Sequence, residues 1–345
     1  MKGKCAFRAR RALARALPAL AIQLIAAALV ASAAGRIQIR PQYNPGDTLY
    51  YQIELHTDTT GKTTTPILNP EGGTKSTENV DLLVRLDVLP RTASGALQSQ
   101  GGERPGAVRM RVTYERAHAD AQSDAPEFDR PAGSEAYSRL AGHSFEFALG
   151  PGGVISNLQD PDNILPKLSQ ATAALSWMNM FSSIGGFSPR GISIGQKWTG
   201  EVPLAGAPLA GLVWQTDSTY LRNEPCQARA TRAAERNAGS AAEQCAVILT
   251  QSTVIHRGPR HADETPPDYV RHGLRTAGAL TGSGERLEVV SLSSGLLVSS
   301  TETSTQRADF DIVSAANGEK IHRDGEVRTQ MVITRVAAPS GSSHR

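Results

Sequence analysis

Residues 80–88 read VDLLVRLDV, and residues 49–55 read LYYQIEL. Val80, Leu82, Val84, Leu86 and Val88 occupy every second position of the first stretch, as Leu49, Tyr51, Ile53 and Leu55 do in the second. A period of two sends alternate side chains to opposite faces of an extended strand, so each stretch has one wet face and one apolar face. The same alternation recurs outward along the chain. Val108, Met110, Val112 and Tyr114 carry it, as do Phe145, Phe147 and Leu149, which lead through Gly150-Pro151-Gly152-Gly153 to Val154 and Ile155. Later strands are expected from Gly195 to Val202, through Leu212, Trp214, Thr216 and Ser218, and along Ala246, Ile248, Thr250 and Ser252. A hairpin over 281–304 turns at Ser293-Ser294-Gly295, and Val327, Thr329, Met331 and Ile333 form the last strand. Consecutive strands separated by turn signals predict antiparallel meander pairing.

One segment breaks the pattern. Asp160-Pro161 offers an N-cap followed by proline at the first helical position. Ile164, Leu168, Ala171, Leu175, Met178 and Phe181 then recur at steps of three and four, and Gly185-Gly186 gives a stop. This spacing predicts a long amphipathic helix over 160–184, packed on the sheet. The expected fold is therefore mainly β: a curved antiparallel sheet, or pair of sheets, or a half-barrel, carrying one long helix. Phe145-Glu146-Phe147 stands before Gly153-Val154 much as Leu287-Glu288-Val289 stands before Gly295-Leu296. This similarity suggests two related halves, about 45–159 and 190–335, within a β-rich domain over 34–337. The Pro/Ser/Gly-rich tail 338–345 is expected to be disordered.

The first residues read as an address. Lys2, Lys4, Arg8, Arg10, Arg11 and Arg15 precede an apolar run from Leu17 to Ala31, which ends in Ala31-Ser32-Ala33. A basic head, a short apolar middle and an A-x-A end predict a signal peptide over 1–33 and export to the periplasm or beyond. The general secretory route and, from Arg10-Arg11, the twin-arginine route both remain open. The competing reading is an uncleaved anchor, and the small-residue site weighs against it. Without the leader's six basic residues, 30 Lys+Arg face 33 Asp+Glu, and no basic run remains after Ala34. Nucleic acid is thus a poor partner. Cys5 leaves with the leader, so Cys226 and Cys245 form an even pair suited to a disulfide in an oxidising compartment.

Catalytic patterns are weak. Gly191-Ile192-Ser193-Ile194-Gly195 matches G-x-S-x-G, but Ser188-Pro189-Arg190 precedes it and a strand follows, whereas a hydrolase elbow needs a strand before and a helix after. His256, His261, Asp263 and Glu264 lack the spacing of known zinc sites. Gly282-Ser283-Gly284 lacks the lysine of a phosphate loop. No metal or cofactor is expected, and the chain reads as a non-enzyme.

The layout resembles secreted bacterial β-rich families of unknown function that look like periplasmic lipoprotein-carrier half-barrels. Phe145, Phe147, Gly153, Val154 and the Gly195–Trp198 strand start carry the resemblance. It implies a sheet wrapped around an apolar helix or a lipid. The expected function is an exported binding protein of the envelope, holding a lipid or other apolar ligand against Leu165, Leu168, Leu175, Met178 and Phe181. The alternatives are an envelope module that meets protein partners without a small ligand and, third, a hydrolase.

Overall fold

A computed structural model describes residues 35–65, 73–90, 107–124, 134–163, 173–181, 187, 190–204, 207–226, 243–257 and 265–339. The leader over 1–33 lies outside the described residues, as do 340–345 of the tail.

Eleven strands form one open antiparallel sheet. In chain order they are β1 (Thr48–Thr64), β2 (Thr74–Val88), β3 (Val108–Ser123), β4 (Ser144–Leu149), β5 (Ile155–Gln159), β6 (Lys197–Pro203), β7 (Leu212–Pro225), β8 (Gln244–His256), β9 (Leu274–Ser291), β10 (Leu297–Ser314) and β11 (Lys320–Val336). Their order across the sheet is β5-β4-β3-β2-β1-β11-β10-β9-β8-β7-β6. Every neighbouring pair is consecutive in sequence except β1 with β11, where the first strand lies against the last. The meander expected from the turn signals is therefore present, and its two arms meet at that central pair.

The alternation seen in the sequence decides which face is buried. Tyr51, Ile53 and Leu55 share a face with Val80, Leu82 and Val84 across β2, and with Met331 and Ile333 across β11. All are buried. This inner face carries the main core, joined by Met110, Val112, Tyr114, Phe145 and Phe147 from β3 and β4 and by Tyr220 and Ile248 from β7 and β8. Burying a Leu- or Val-sized side chain contributes about 1.5–3 kcal/mol, so this face is the main source of stability. The edge strands are poor templates for further pairing. β5 has five residues, an irregular register against β4 and a left-handed Asn157, and β6 ends at Pro203.

Among the described residues, 160–163 and 173–181 do not form the long helix expected over 160–184. Asp160 and Asn163 instead close a turn, in which the Asn163 N–H donates to the Asp160 carbonyl at 3.2 Å. Asn163 is left-handed (φ 52°), and the Asp162 carboxylate accepts the Ser144 N–H at 2.8 Å, tying the turn to the start of β4. Residues 164–172 lie outside the described residues. Three short helices occur among the described residues: α1 (Ser134–Ser138), α2 (Ala173–Ser176) and α3 (Pro267–Arg271). After α2, the N–H groups of Met178, Met180 and Phe181 donate to the carbonyls three residues earlier. This tighter winding turns Trp177, Met180 and Phe181 into the core.

One end of the inner face is closed by the segment before β1. Ile37 and Ile192 exchange backbone hydrogen bonds of 2.8 and 2.9 Å, Ile39 is buried, and the Gln42 N–H donates to the Ser294 carbonyl at 2.8 Å. This strap needs glycine at 295. Gly295 is left-handed (φ 66°), and a Cβ there would lie 2.2 Å from the Arg40 carbonyl oxygen. Gly295→Ala is expected to cost about 2–3 kcal/mol through strain and displacement of the strap. A lower urea midpoint at unchanged slope is the readout, and an unaltered midpoint would contradict this account.

Candidate functional site

Three successive cross-strand rows describe how the inner face changes along the strands. The deepest runs Leu82, Ile53, Ile333, Ser300, Glu288, Ile248, Tyr220 across β2, β1, β11, β10, β9, β8 and β7. The next runs Val80, Leu55, Met331, Glu302, Arg286, Thr250, Ser218 and reaches Trp198 on β6. The third runs Glu78, Thr57, Thr329, Ser304, Gly284, Ser252, Thr216, Gly200. The first two rows are apolar on the β1–β2–β11 side and turn polar at β10. The third is small or polar throughout. Beyond it, Val254 belongs to a second, smaller apolar cluster with Leu209 and Leu212, against which Trp214 and Leu280 pack.

A charged triad sits where the apolar half meets the polar half. Arg286 lies between two carboxylates, its Nε 3.4 Å from Glu288 Oε1 and its Nη1 3.6 Å from Glu302 Oε2. Glu288 is 1% exposed. The Arg286 Nε is buried without a hydrogen-bond acceptor in good geometry. Both contacts exceed the 2.7–2.9 Å typical of charge-assisted hydrogen bonds. Ser300, Thr250 and Ser218 surround the triad and are buried, and the Ser218 and Thr250 hydroxyls share a 2.9 Å hydrogen bond. Burial pushes the Glu302 carboxyl above the ordinary glutamate value; Arg286 opposes this and the Glu288 charge adds to it. Across the face, burial also raises Glu78, against a hydrogen bond with Tyr137 of α1. Burial pushes Tyr51 up to about 12, and its hydroxyl donates to the Leu297 carbonyl at 3.3 Å.

The segment 173–181 lies over the apolar side of these rows. Phe181 packs edge-on against Phe147 at 5.6 Å and beside Trp177 at 6.0 Å, and the Ser176 hydroxyl donates to Met331 Sδ at 3.8 Å. Leu175 and Met178 are half-buried against the main core, whereas Phe181 is fully buried in it. Leu165 and Leu168 lie outside the described residues.

Other sequence candidates fall elsewhere. Cys226 and Cys245 form a disulfide with Cα atoms 5.0 Å apart, which fits a protein folded in an oxidising compartment. Ser193 lies in a turn before β6, its N–H donating to Gln196 Oε1 at 3.1 Å, with no helix after it. His256 ends β8, and His261, Asp263 and Glu264 lie outside the described residues. Among the described residues no group of three or more His, Cys, Asp or Glu side chains is arranged to hold a metal ion. None of the described helices is long and apolar enough to cross a membrane, which says nothing of strands. On the outer face, a shallow depression beside Glu54, Asp81 and His118 is braced by its own pairs, His56 with Asn79 at 2.7 Å and with Asp58 at 3.0 Å.

The described structure is thus that of an open, single-sheet antiparallel β protein with a polar patch on its core face. No protein-family model matches the chain, and no curated protein matches it. Among solved structures it is similar to lipovitellin, in a structure concerned with lipid–protein interactions, at 11% identity and a TM-score of 0.44. That match covers 87% of this chain and 26% of the lipovitellin chain. The outer membrane protein OprG from Pseudomonas aeruginosa matches at 9% identity and a TM-score of 0.18, over 86% of this chain and 99% of that one. An outer membrane channel from Pseudomonas putida F1 matches at 8% and 0.18, over 86% and 97%. With TM-scores below 0.5, none of them fixes a fold or a ligand for this chain.

Because burial raises the Glu302 carboxyl, ionising it opposes folding. The folded state holds this proton more tightly, so the penalty is present above the folded-state value and disappears as pH falls through it. Glu302→Gln is therefore expected to raise the urea midpoint at pH 8 and to change it little at pH 4, where the carboxyl is largely protonated in both states. A midpoint lowered at pH 8 would show that the pairing with Arg286 outweighs burial.

Proposed function

We propose that this is an exported binding protein that holds an amphipathic molecule on the inner face of its sheet. The sheet curves as a half-barrel around the ligand. The apolar part of the ligand lies against Leu55 and Met331, and its polar end meets Arg286 and Glu302. The segment 173–181 acts as the cover: Leu175 and Met178 touch the ligand, and Phe181 anchors the cover in the core. One observation carries this reading. The second row changes from the buried apolar Leu55 and Met331 to the charged Glu302 and Arg286 between adjacent strands, β11 and β10, with Glu288 beside them in the first row, on the face that elsewhere forms the core. Ligand sites are mostly apolar with a few placed polar groups, and this boundary supplies both. Export rests on the leader pattern and is supported by the disulfide.

A second reading has its own support. Val154 and Leu158, on or beside β5, and Ile194 and Val202, on or beside β6, are among the exposed large apolar side chains. Apolar side chains at both sheet edges suit a module that meets protein partners.

Native mass spectrometry of protein purified from its own envelope separates the two readings. Binding on the inner face predicts a discrete added mass that is lost on organic extraction. A clean apo mass, together with photo-crosslinks from Leu158 and Val202 to one partner, would replace the first reading with the second.

A further inference from the structure

We propose that the polar end of the ligand is zwitterionic, an ammonium group carried beside a phosphate, as in an ethanolamine or choline phospholipid. The inference rests on the inner face being the binding site, and charge complementarity carries it. Glu302, Arg286 and Glu288 present negative, positive and negative charge in that order across β10 and β9. Glu288 is buried and Glu302 is the more open carboxylate, with 32% of its side chain exposed. The triad therefore offers the ligand one accessible carboxylate beside one guanidinium.

An anionic head would satisfy Arg286 and face two carboxylates in a poorly solvated site. A purely cationic head would satisfy Glu302 and approach Arg286, a like charge. A zwitterion places its ammonium on Glu302 and its phosphate oxygens on Arg286. The guanidinium has capacity for this, because 19% of the Arg286 side chain is exposed and its contacts with the two carboxylates, at 3.4 and 3.6 Å, are long. On the other side of Glu302, Met331 and Leu55 continue the same row and receive the acyl chain; the glycerol linkage carries the phosphate past Glu302 to Arg286, and the terminal ammonium folds back onto Glu302.

The test uses three single-chain probes with the same acyl or alkyl length: a lysophosphatidylethanolamine, a lysophosphatidylglycerol and a long-chain alkylamine. Each is titrated into the exported, disulfide-bonded protein. The zwitterion should bind about tenfold more tightly than either singly charged probe. Arg286 is avoided as the first variant because its loss removes a charge partner of the buried Glu288. Glu302→Gln should remove most of the preference while circular dichroism and the disulfide are unchanged. Equal binding of all three probes would overturn the zwitterion and leave the binding function standing. Tighter binding of the amine or the anion, or an unchanged preference in Glu302→Gln, would overturn it likewise. Failure of every probe to bind would remove both readings.

Discussion

The pairing of β1 with β11 is the constraint on which the rest of the structure depends. Fifteen residue pairs run without a register shift from Tyr50 opposite Val336 to Thr64 opposite His322. Remove that ladder, and β1–β5 and β6–β11 become two separate meanders. Each would then have an exposed central edge and half a core. The pair brings Ile53 beside Ile333 and Leu55 beside Met331, so that the two apolar rows run unbroken from β2 to β11. Closing so long a loop costs more than closing a hairpin, but the cost grows only with the logarithm of length. Long-range pairing of this kind also slows folding. The break in the sheet is thereby moved to β5 and β6, the two strands least suited to recruiting another strand.

The fold was legible wherever one face of a strand meets a continuous apolar core. β1, β2, β3 and β4 alternate because Tyr51, Leu82, Val112 and Phe145 all enter the same cluster. The helix over 160–184 was read from steps of three and four among apolar side chains. Such steps also suit short turns that drop large residues into a core, as Trp177, Met180 and Phe181 do. Asn163 is of a type that tolerates the left-handed region, and Asp160-Pro161-Asp162-Asn163 also suits a turn. That conformation goes with the tether from Asp162 to Ser144, a contact eighteen residues away along the chain.

The charged triad was not legible, and the reason lies in β9. Leu287-Glu288-Val289 reads as two apolar side chains facing in and one acid facing out, as Phe145-Glu146-Phe147 does. In β4 that reading holds: Phe145 and Phe147 are buried, while Glu146 turns to Arg109 and Arg111 on the outer face. In β9 the parity is reversed, with Glu288 buried and Leu287 39% exposed. The register decides it, since Glu288 lies opposite Ile248 on one side and Ser300 on the other, both inner-face residues. Gly282 and Gly284 share that parity, so no apolar side chain between 281 and 288 marks the inner face. Two look-alike segments thus present opposite faces to the core, a difference that only strand pairing reveals.

That reversal bears on why the triad is present at all. Taking a charge such as Glu288 out of water costs several kcal/mol before pairing offsets it, and well-packed apolar replacements of buried ion pairs are often neutral or stabilising. Ile248 lies beside Glu288 in the first row and Met331 beside Glu302 in the second, so this part of the sheet accommodates apolar side chains. The ion-pair distances of 3.4 and 3.6 Å are long, and burial outweighs the pairing with Arg286 at the Glu302 carboxyl. At Glu302, then, stability gives no reason for an acid on the inner face. Glu302 and Arg286 stand at the line where the buried apolar run from Val80 through Leu55 to Met331 gives way to polar side chains at β10, with Glu288 beside them in the first row. At that line a polar group attached to an apolar chain meets both kinds of surface at once.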